Sequence, residues 1–198
     1  MSRTSQQFSS ARPSAADPHQ ANSTSMIRWI YLVRGLAAIA WAAAFASTKD
    51  SLTTSSAVLL FAYPGIDVLA SLIDLRTQRE ADQRKVLIFG GATSAVAAVG
   101  LALAASGDIS DVLRVFGVWA TVSGLTQIVV AVRRRSAATG GQWSMLVAGA
   151  LSTLVGIFYN VEASGSSPKL DELVTYATAG GVFFVIQALV LSWRLRKA

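Results

Sequence analysis

The feature that most constrains this chain is a series of six apolar segments, each about 20 residues long and bounded by polar or charged residues. A helix needs about 20 mostly apolar residues to cross the hydrocarbon core of a bilayer. A soluble helical bundle is the alternative, but its helices would carry a charged face opposite an apolar stripe. One of the segments, residues 86–105, contains no charge at all. We therefore predict an all-α polytopic membrane protein with helices at about 26–46, 57–75, 86–105, 112–132, 143–161 and 173–193.

The composition narrows the chemistry that such a chain can perform. Charged residues make up 14% of the sequence, against about 25% in an ordinary soluble domain. The chain has no cysteine and a single histidine, His19. Disulfides and thiolate chemistry are therefore excluded, and histidine-based catalysis or metal binding is close to excluded. We expect no catalytic residues, no cofactor and no metal site.

The basic residues are divided unequally between the two sides of the predicted membrane domain. The first, third and fifth connections between the segments contain only two basic residues, Lys49 and Lys169. Cytoplasmic loops carry the excess of Lys and Arg, so we predict that both termini are cytoplasmic. A nucleic-acid binder would gather its basic residues on one face, so we expect the lipid bilayer, and no nucleic acid, as partner. The thirteen basic residues on the predicted cytoplasmic side are Arg3, Arg12, Arg28, Arg76, Arg79, Arg84, Lys85, Arg133, Arg134, Arg135, Arg194, Arg196 and Lys197.

Residues 1–25 precede the first apolar segment and are rich in Ser, Gln and Ala. Such a composition cannot bury enough apolar area to fold, so we predict a disordered cytoplasmic tail. An organelle transit peptide is the alternative, because the tail is poor in acidic residues, but it lacks an amphipathic helical pattern. The tail and the small-residue helix faces leave a homo-oligomer or a protein partner open.

The membrane segments show self-similarity at a spacing of 56 to 60 residues. In the first helix of each pair, two small residues stand seven positions apart, which places them on one helix face where a neighbouring backbone can approach closely. We therefore predict three helix hairpins in the same orientation, which form parallel repeats. The repeated positions are Gly35 and Ala42, Gly91 and Ala98, and Gly149 and Gly156, with Ser71, Gln127 and Gln187 in the second helices.

Four segments of the sequence resemble the HdeD family of bacterial membrane proteins. They are RGLAAIAWAA (34–43), GIDVLASLIDLR (65–76), GVWATVSGLTQIVVAVRRR (117–135) and LVAGALSTLVGIFY (146–159). The resemblance covers about residues 26–196. It implies a six-helix protein of the bacterial inner membrane that is associated with acid resistance, and it implies no catalytic residues. The polar tail and the loop STKDSL depart from the family pattern.

Two ionisable residues lie deep within the predicted helices, where such groups are costly and tend to mark function. Arg34 lies about 12 Å from the start of the first segment, and Asp67 lies about 13 Å before the end of the second. Because the depths agree, we predict an ion pair that faces the bundle interior. It either fixes the register of the first hairpin or forms a site that responds to protons or contacts a substrate.

Other intramembrane polar residues are weaker candidates. Tyr63 and Ser71 share a helix face with Asp67, and Pro64 removes a donor to the carbonyl of Leu60, so a kink or a freed acceptor is expected there. Together these residues could line a polar cavity. Gln127 and Gln187 are expected to hold helices together. Arg114, three residues after Asp111, is expected to extend outward and anchor its helix.

Two functions are consistent with these observations. The first is a non-enzymatic membrane protein with a stress role like that of the acid-resistance family. The second is a small transporter or proton-conducting protein that uses the pair formed by Arg34 and Asp67.

Overall fold

The computed structural model describes residues 18–133 and 142–197, without the side chains of residues 18–27, 77 and 194–197. Within these ranges the chain forms six helices and no strands. All six are long and apolar enough to cross a membrane, so the predicted all-α polytopic fold is confirmed. The helices are α1 (Pro18–Ala46), α2 (Thr54–Thr77), α3 (Ala81–Ala104), α4 (Ile109–Arg133), α5 (Gln142–Glu162) and α6 (Asp171–Lys197).

The first helix begins earlier than predicted. It starts at Pro18, so residues 18–25 are helical and do not belong to a disordered tail. Proline is favoured in the first turn because its fixed φ suits the helix and its missing N–H has no intrahelical acceptor there. The apolar span within α1 runs over Arg28–Ala46, close to the predicted 26–46. Residues 1–17 of the predicted tail, with Arg3 and Arg12, lie outside the described residues, as do Arg134 and Arg135.

Each helix packs against its two neighbours in the chain, and α1 also packs against α6, so the six helices form a closed ring. The closest packing occurs in the pairs α4–α5, α1–α6 and α2–α3. The α1–α2 and α5–α6 pairs touch much less, although each is joined by a single connection. The predicted first hairpin is therefore loosely packed, and the main partner of α1 is the last helix.

Glycine permits the three close pairs. A methyl group placed on Gly35 would lie 2.8 Å from the carbonyl oxygen of Gly181, and one on Gly149 would lie 2.7 Å from that of Gly124. A methyl group on Gly91 would lie 3.1 Å from Cβ of Ser71. Small residues at these positions let the backbones come into contact, as the sequence pattern predicts for Gly35, Gly91 and Gly149.

Seven aromatic rings meet inside the ring of helices. Trp41 stacks on Phe45 at 4.7 Å between ring centroids and contacts Tyr63 at 4.5 Å. Tyr63 in turn contacts Phe116 and Trp119, and Phe116 contacts Tyr159 and Tyr176. We call this set the aromatic cluster: Trp41, Phe45, Tyr63, Phe116, Trp119, Tyr159 and Tyr176. It draws on five of the six helices and forms the core of the molecule.

The outer surface of the ring is apolar. Val96, Leu103, Val161 and Leu154 are 76%, 70%, 67% and 64% exposed. A soluble monomer rarely exposes a contiguous apolar patch larger than a few hundred Å², whereas lipid tails solvate such a surface without cost. The exposed apolar belt is therefore the surface expected for a membrane-embedded ring.

Candidate functional site

The ion pair that the sequence predicts between Arg34 and Asp67 is present in the structure. Nη2 of Arg34 lies 2.5 Å from Oδ1 of Asp67 and donates a hydrogen bond to it. The pair joins α1 to α2 at the place where these two helices otherwise touch little. A charge-assisted hydrogen bond of this kind is about twice as strong as a neutral one.

The third helix that contributes to this site is α6. The guanidinium carbon of Arg34 lies 5.4 Å from the ring centre of Phe184, within the range of a cation–π contact. Tyr31, one turn before Arg34, stacks on the same phenylalanine with ring centroids 5.9 Å apart. Gly35 brings α6 close enough for these contacts. Arg34 therefore lies between a carboxylate on α2 and an aromatic face on α6.

The ion pair is not enclosed. The side chain of Arg34 is 35% exposed and that of Asp67 is 34% exposed. A guanidinium has five N–H donors, and the bond to Asp67 occupies one of them. Both residues lie within apolar membrane spans, so about a third of each side chain is open to whatever surrounds the helices at this depth. The predicted pair thus forms, but it is partly exposed and not enclosed in the bundle interior.

Next to the ion pair, several polar groups of the aromatic cluster are bonded within the protein. Trp119 donates its indole N–H to Oγ of Ser94 at 3.1 Å. The hydroxyls of Tyr176 and Ser152 lie 2.8 Å apart, and Ser152 also donates to the carbonyl of Ala120. These bonds tie α3 to α4, and α5 to both α4 and α6.

Pro64 lies in α2 between Tyr63 and the ion pair, and it is fully buried. The helix continues through it from Thr54 to Thr77. Trp41 donates its indole N–H to the carbonyl of Leu59 at 2.6 Å. Pro64 has no N–H that could donate to the carbonyl of Leu60. The indole of Trp41 provides a donor from another helix at the residue before Leu60. Pro64 thus coincides with a fixed contact between α1 and α2.

The remaining predicted site residues are not brought together. Ser71 packs against Gly91 of α3, away from α1. Gln127 packs against Gly149 of α5, and Gln187 accepts a hydrogen bond from Ser144 at 3.0 Å, which joins α6 to α5. These three side chains lie at helix contacts. Of the predicted residues, only Arg34, Asp67, Tyr63 and Pro64 form one neighbourhood.

At the opposite end of α1, an ion pair links two connections of the ring. Nζ of Lys49 lies 2.5 Å from Oδ1 of Asp171, the first residue of α6, and 3.1 Å from Oδ1 of Asp50. The hydrogen bond to Asp171, and then that to Asp50, raise the pKa of Lys49 above its ordinary value of 10.5. Lys49 is therefore charged at any physiological pH.

Sequence reasoning missed the residues that complete these sites. Phe184 and Tyr31 look like ordinary apolar residues of two distant segments, and nothing in their spacing indicates a shared contact. The same holds for the aromatic cluster, whose members come from five helices. Lys49 lies in the α1–α2 connection and Asp171 lies at the start of α6. The charge distribution places both on the same side of the membrane, so their contact could have been predicted from the sequence.

Comparison with known families gives one match. Residues 111–159 are similar to a family described as a short repeat of unknown function, DUF308. The matched segment includes most of α4 and of α5, one of the close glycine-packed pairs. Comparison with curated proteins and with solved structures finds no match to this chain. The six apolar helices define a multi-pass membrane protein, part of which is similar to this repeat.

Proposed function

We propose that this chain is a non-enzymatic integral membrane protein with a stress role of the acid-resistance type. The observation that carries the proposal is the partly exposed ion pair of Arg34 and Asp67 within the membrane spans. The resemblance of the sequence to the HdeD family supports the same role, and the match to DUF308 supports a membrane protein.

The proposed mechanism is a change of the α1–α2 contact when Asp67 gains a proton. Protonation removes the negative charge, so Arg34 loses its partner in a region of low dielectric constant, where an unpaired charge is costly. Asp67 is faced by Arg34 from α1 and by Tyr176 from α6, and Tyr63 lies one turn before it on α2. The charged residues of α3 lie within the first turn and a half of that helix. Apart from the contacts of Trp41 with Leu59 and Tyr63, α1 and α2 touch little, so we propose that the end of α1 with Arg34 moves relative to α2.

The direct test is survival of acid stress in cells that depend on this protein. We expect Asp67→Asn to abolish the protection and Arg34→Gln to reduce it, with protein levels in the membrane unchanged. Glu80→Gln is the matched control, since it neutralises an exposed carboxylate that makes no side-chain capping bond. Full protection by both Asp67→Asn and Arg34→Gln would contradict the proposal.

The second candidate function is conduction of protons or a small solute, and the partial exposure of both charged side chains favours it. The test uses the purified protein in liposomes that enclose a pH-sensitive dye. Conduction predicts an inward proton flux under an imposed pH gradient that Asp67→Asn lowers. The same flux from empty liposomes and from liposomes with the wild-type protein would eliminate this candidate.

We further propose that the three helix hairpins, α1–α2, α3–α4 and α5–α6, are parallel repeats and that both termini are cytoplasmic. The small-residue contacts at Gly35, Gly91 and Gly149 support the first statement. The distribution of basic residues supports the second. The lipid bilayer, in a bacterium the inner membrane, is the proposed location.

A further inference from the structure

A groove on the outer surface of the ring, between α3 and α4, is distinct from the ion-pair site. Its volume is about 600 Å³. Its lining on α3 includes the small residues Ala92, Ala97 and Gly100, and the wall on α4 consists of larger side chains. Gly100 is close to this wall, because a methyl group placed on it would lie 3.1 Å from Val115. We call this feature the α3–α4 groove.

Apart from Arg114, the groove offers an apolar ligand a surface whose polar groups are bonded within the protein. The indole N–H of Trp119, which lines it, already donates to Ser94. The hydroxyl of Thr93 donates to the carbonyl of Phe89. A polar ligand would therefore lose hydrogen bonds to water on entering and gain none. The lining selects a hydrocarbon chain.

One charged residue, Arg114, stands in the lining of this groove. It lies five residues after the first residue of α4, close to the end of the membrane span. Its side chain is 53% exposed, and Asp111 takes one of its five N–H donors at 3.3 Å. Donors of Arg114 beyond that bond are available to an anion at the level of lipid headgroups. The sequence predicted that Arg114 only anchors its helix, and that prediction does not explain why Arg114 lines the groove.

The length of the groove matches one leaflet of a bilayer. Along α3 it extends from Phe89 to Gly100, which is about 16 Å at 1.5 Å per residue. Half of the hydrocarbon core is about 15 Å thick. An acyl chain that starts at the level of Arg114 would thus reach the bilayer midplane at the end of the groove.

We propose that the α3–α4 groove binds one phospholipid, with an acyl chain in the groove and the headgroup phosphate on Arg114. Arginine binds phosphate oxygens through two parallel N–H donors, and the membrane supplies the ligand at high local concentration. A second groove, between α4 and α5, has similar apolar walls but no charged side chain in its lining. The phosphate contact therefore distinguishes the α3–α4 groove from its neighbour.

The test measures binding of dioleoyl phosphatidylglycerol to the purified full-length protein in detergent by native mass spectrometry. We expect Arg114→Gln to weaken the first binding event about tenfold, the loss of a charge-assisted hydrogen bond, and Arg114→Lys to recover most of the affinity. Val96→Trp, which places an indole over the groove, should weaken binding as well. Dioleoylglycerol, which has the same chains and no phosphate, should bind weakly and without regard to Arg114.

Two matched variants separate the site from general effects. Arg79→Gln removes an equal charge from the α2–α3 connection, and Val161→Trp places an indole over the α4–α5 groove. Both should bind the phospholipid like the wild type, and all variants should keep the helical circular dichroism of the wild type. The proposal is overturned if Arg114→Gln binds as tightly as the wild type, or if Arg79→Gln loses as much affinity. It is also overturned if Val96→Trp changes only the oligomeric state, since the groove would then be a contact between copies.

Discussion

At the scale of single residues, the charged pair of Arg34 and Asp67 joins two membrane spans, and its surroundings decide what it can do. Arg34 has a carboxylate on one side and the ring of Phe184 on the other. A fully enclosed pair would serve only to fix the helices. Here about a third of each side chain is exposed, so the pair is not closed off by the protein. The pair therefore joins α1 to α2 and leaves part of the carboxylate uncovered.

The energetic coupling of this pair can be measured by a double-mutant cycle. We expect Arg34→Gln and Asp67→Asn each to destabilise the protein by about 1–2 kcal/mol, less than the 3–5 kcal/mol of a fully buried pair because water screens part of the charge. The double variant should lose less than the sum, because neither charge is left without a partner. Thermal unfolding in lipid nanodiscs provides the measurement, and strict additivity of the two losses would show that the residues are not coupled.

The bond between Lys49 and Asp171 gives a second residue-scale prediction. Asp171→Asn should lower the Tm of the protein at pH 7, and the difference should shrink in 1 M salt, which screens exposed charges. Because the pKa of folded Lys49 lies above its unfolded value of 10.5, the contribution is complete below pH 10.5 and is lost as the pH rises through the folded pKa. Equal Tm values of the two proteins at low salt and pH 7 would contradict this prediction. Lys169→Gln is a suitable control, since it removes a positive charge from the α5–α6 connection.

At the scale of elements, close approach of helix backbones organises the ring. Three helix pairs are in contact through glycine or serine, α3 and α4 pack less closely, and the α1–α2 and α5–α6 pairs touch least. Lipid does not drive helices together by the hydrophobic effect, so contact between backbones and interhelical hydrogen bonds must do so. Each close pair thus behaves as a unit, and the ring is weakest at the α1–α2 and α5–α6 seams.

Two adjacent glycines of α6 test this account. Gly181→Ala should destabilise the protein by about 1–3 kcal/mol, because the new methyl group would lie 2.6 Å from Ile39 and 2.8 Å from the carbonyl of Gly35. Gly180→Ala should be neutral or slightly stabilising, since nothing lies within 4 Å of its methyl position and alanine is the better helix former. Unfolding in nanodiscs measures both. Equal effects of the two substitutions would show that α1 and α6 are not in contact at this position.

At the scale of the whole molecule, orientation in the membrane is the property that the charge distribution predicts. The chain has no cysteine, so single cysteines can be introduced and labelled without background. We expect an impermeant maleimide to label Ser166→Cys in the α5–α6 connection of intact cells, and to label Glu80→Cys only after permeabilisation. Labelling of Glu80→Cys in intact cells would reverse the predicted orientation.

The sequence was sufficient for the parts of the fold that depend on one helix at a time. Span length and the depth of charged groups are properties of single segments, and they correctly predicted six helices and the contact of Arg34 with Asp67. The choice of partner helices depends on which faces meet in space. For that reason the main contact of α1 was not foreseen, and Ser71, Gln127 and Gln187, grouped by their spacing, belong to separate contacts. The groove beside Arg114 was not foreseen for the same reason, because it is formed by two helices, α3 and α4.

The contact between α1 and α6 also has a consequence for the order of assembly. Of the six helices, α1 is made before all the others and finds its main partner only when α6 has been made. Until then the glycine face of α1 must be covered by lipid or by another membrane protein, while α2–α3 and α4–α5 can form as their segments are inserted. The ring therefore closes when α6 packs against α1, and only then does Arg34 gain the face of Phe184.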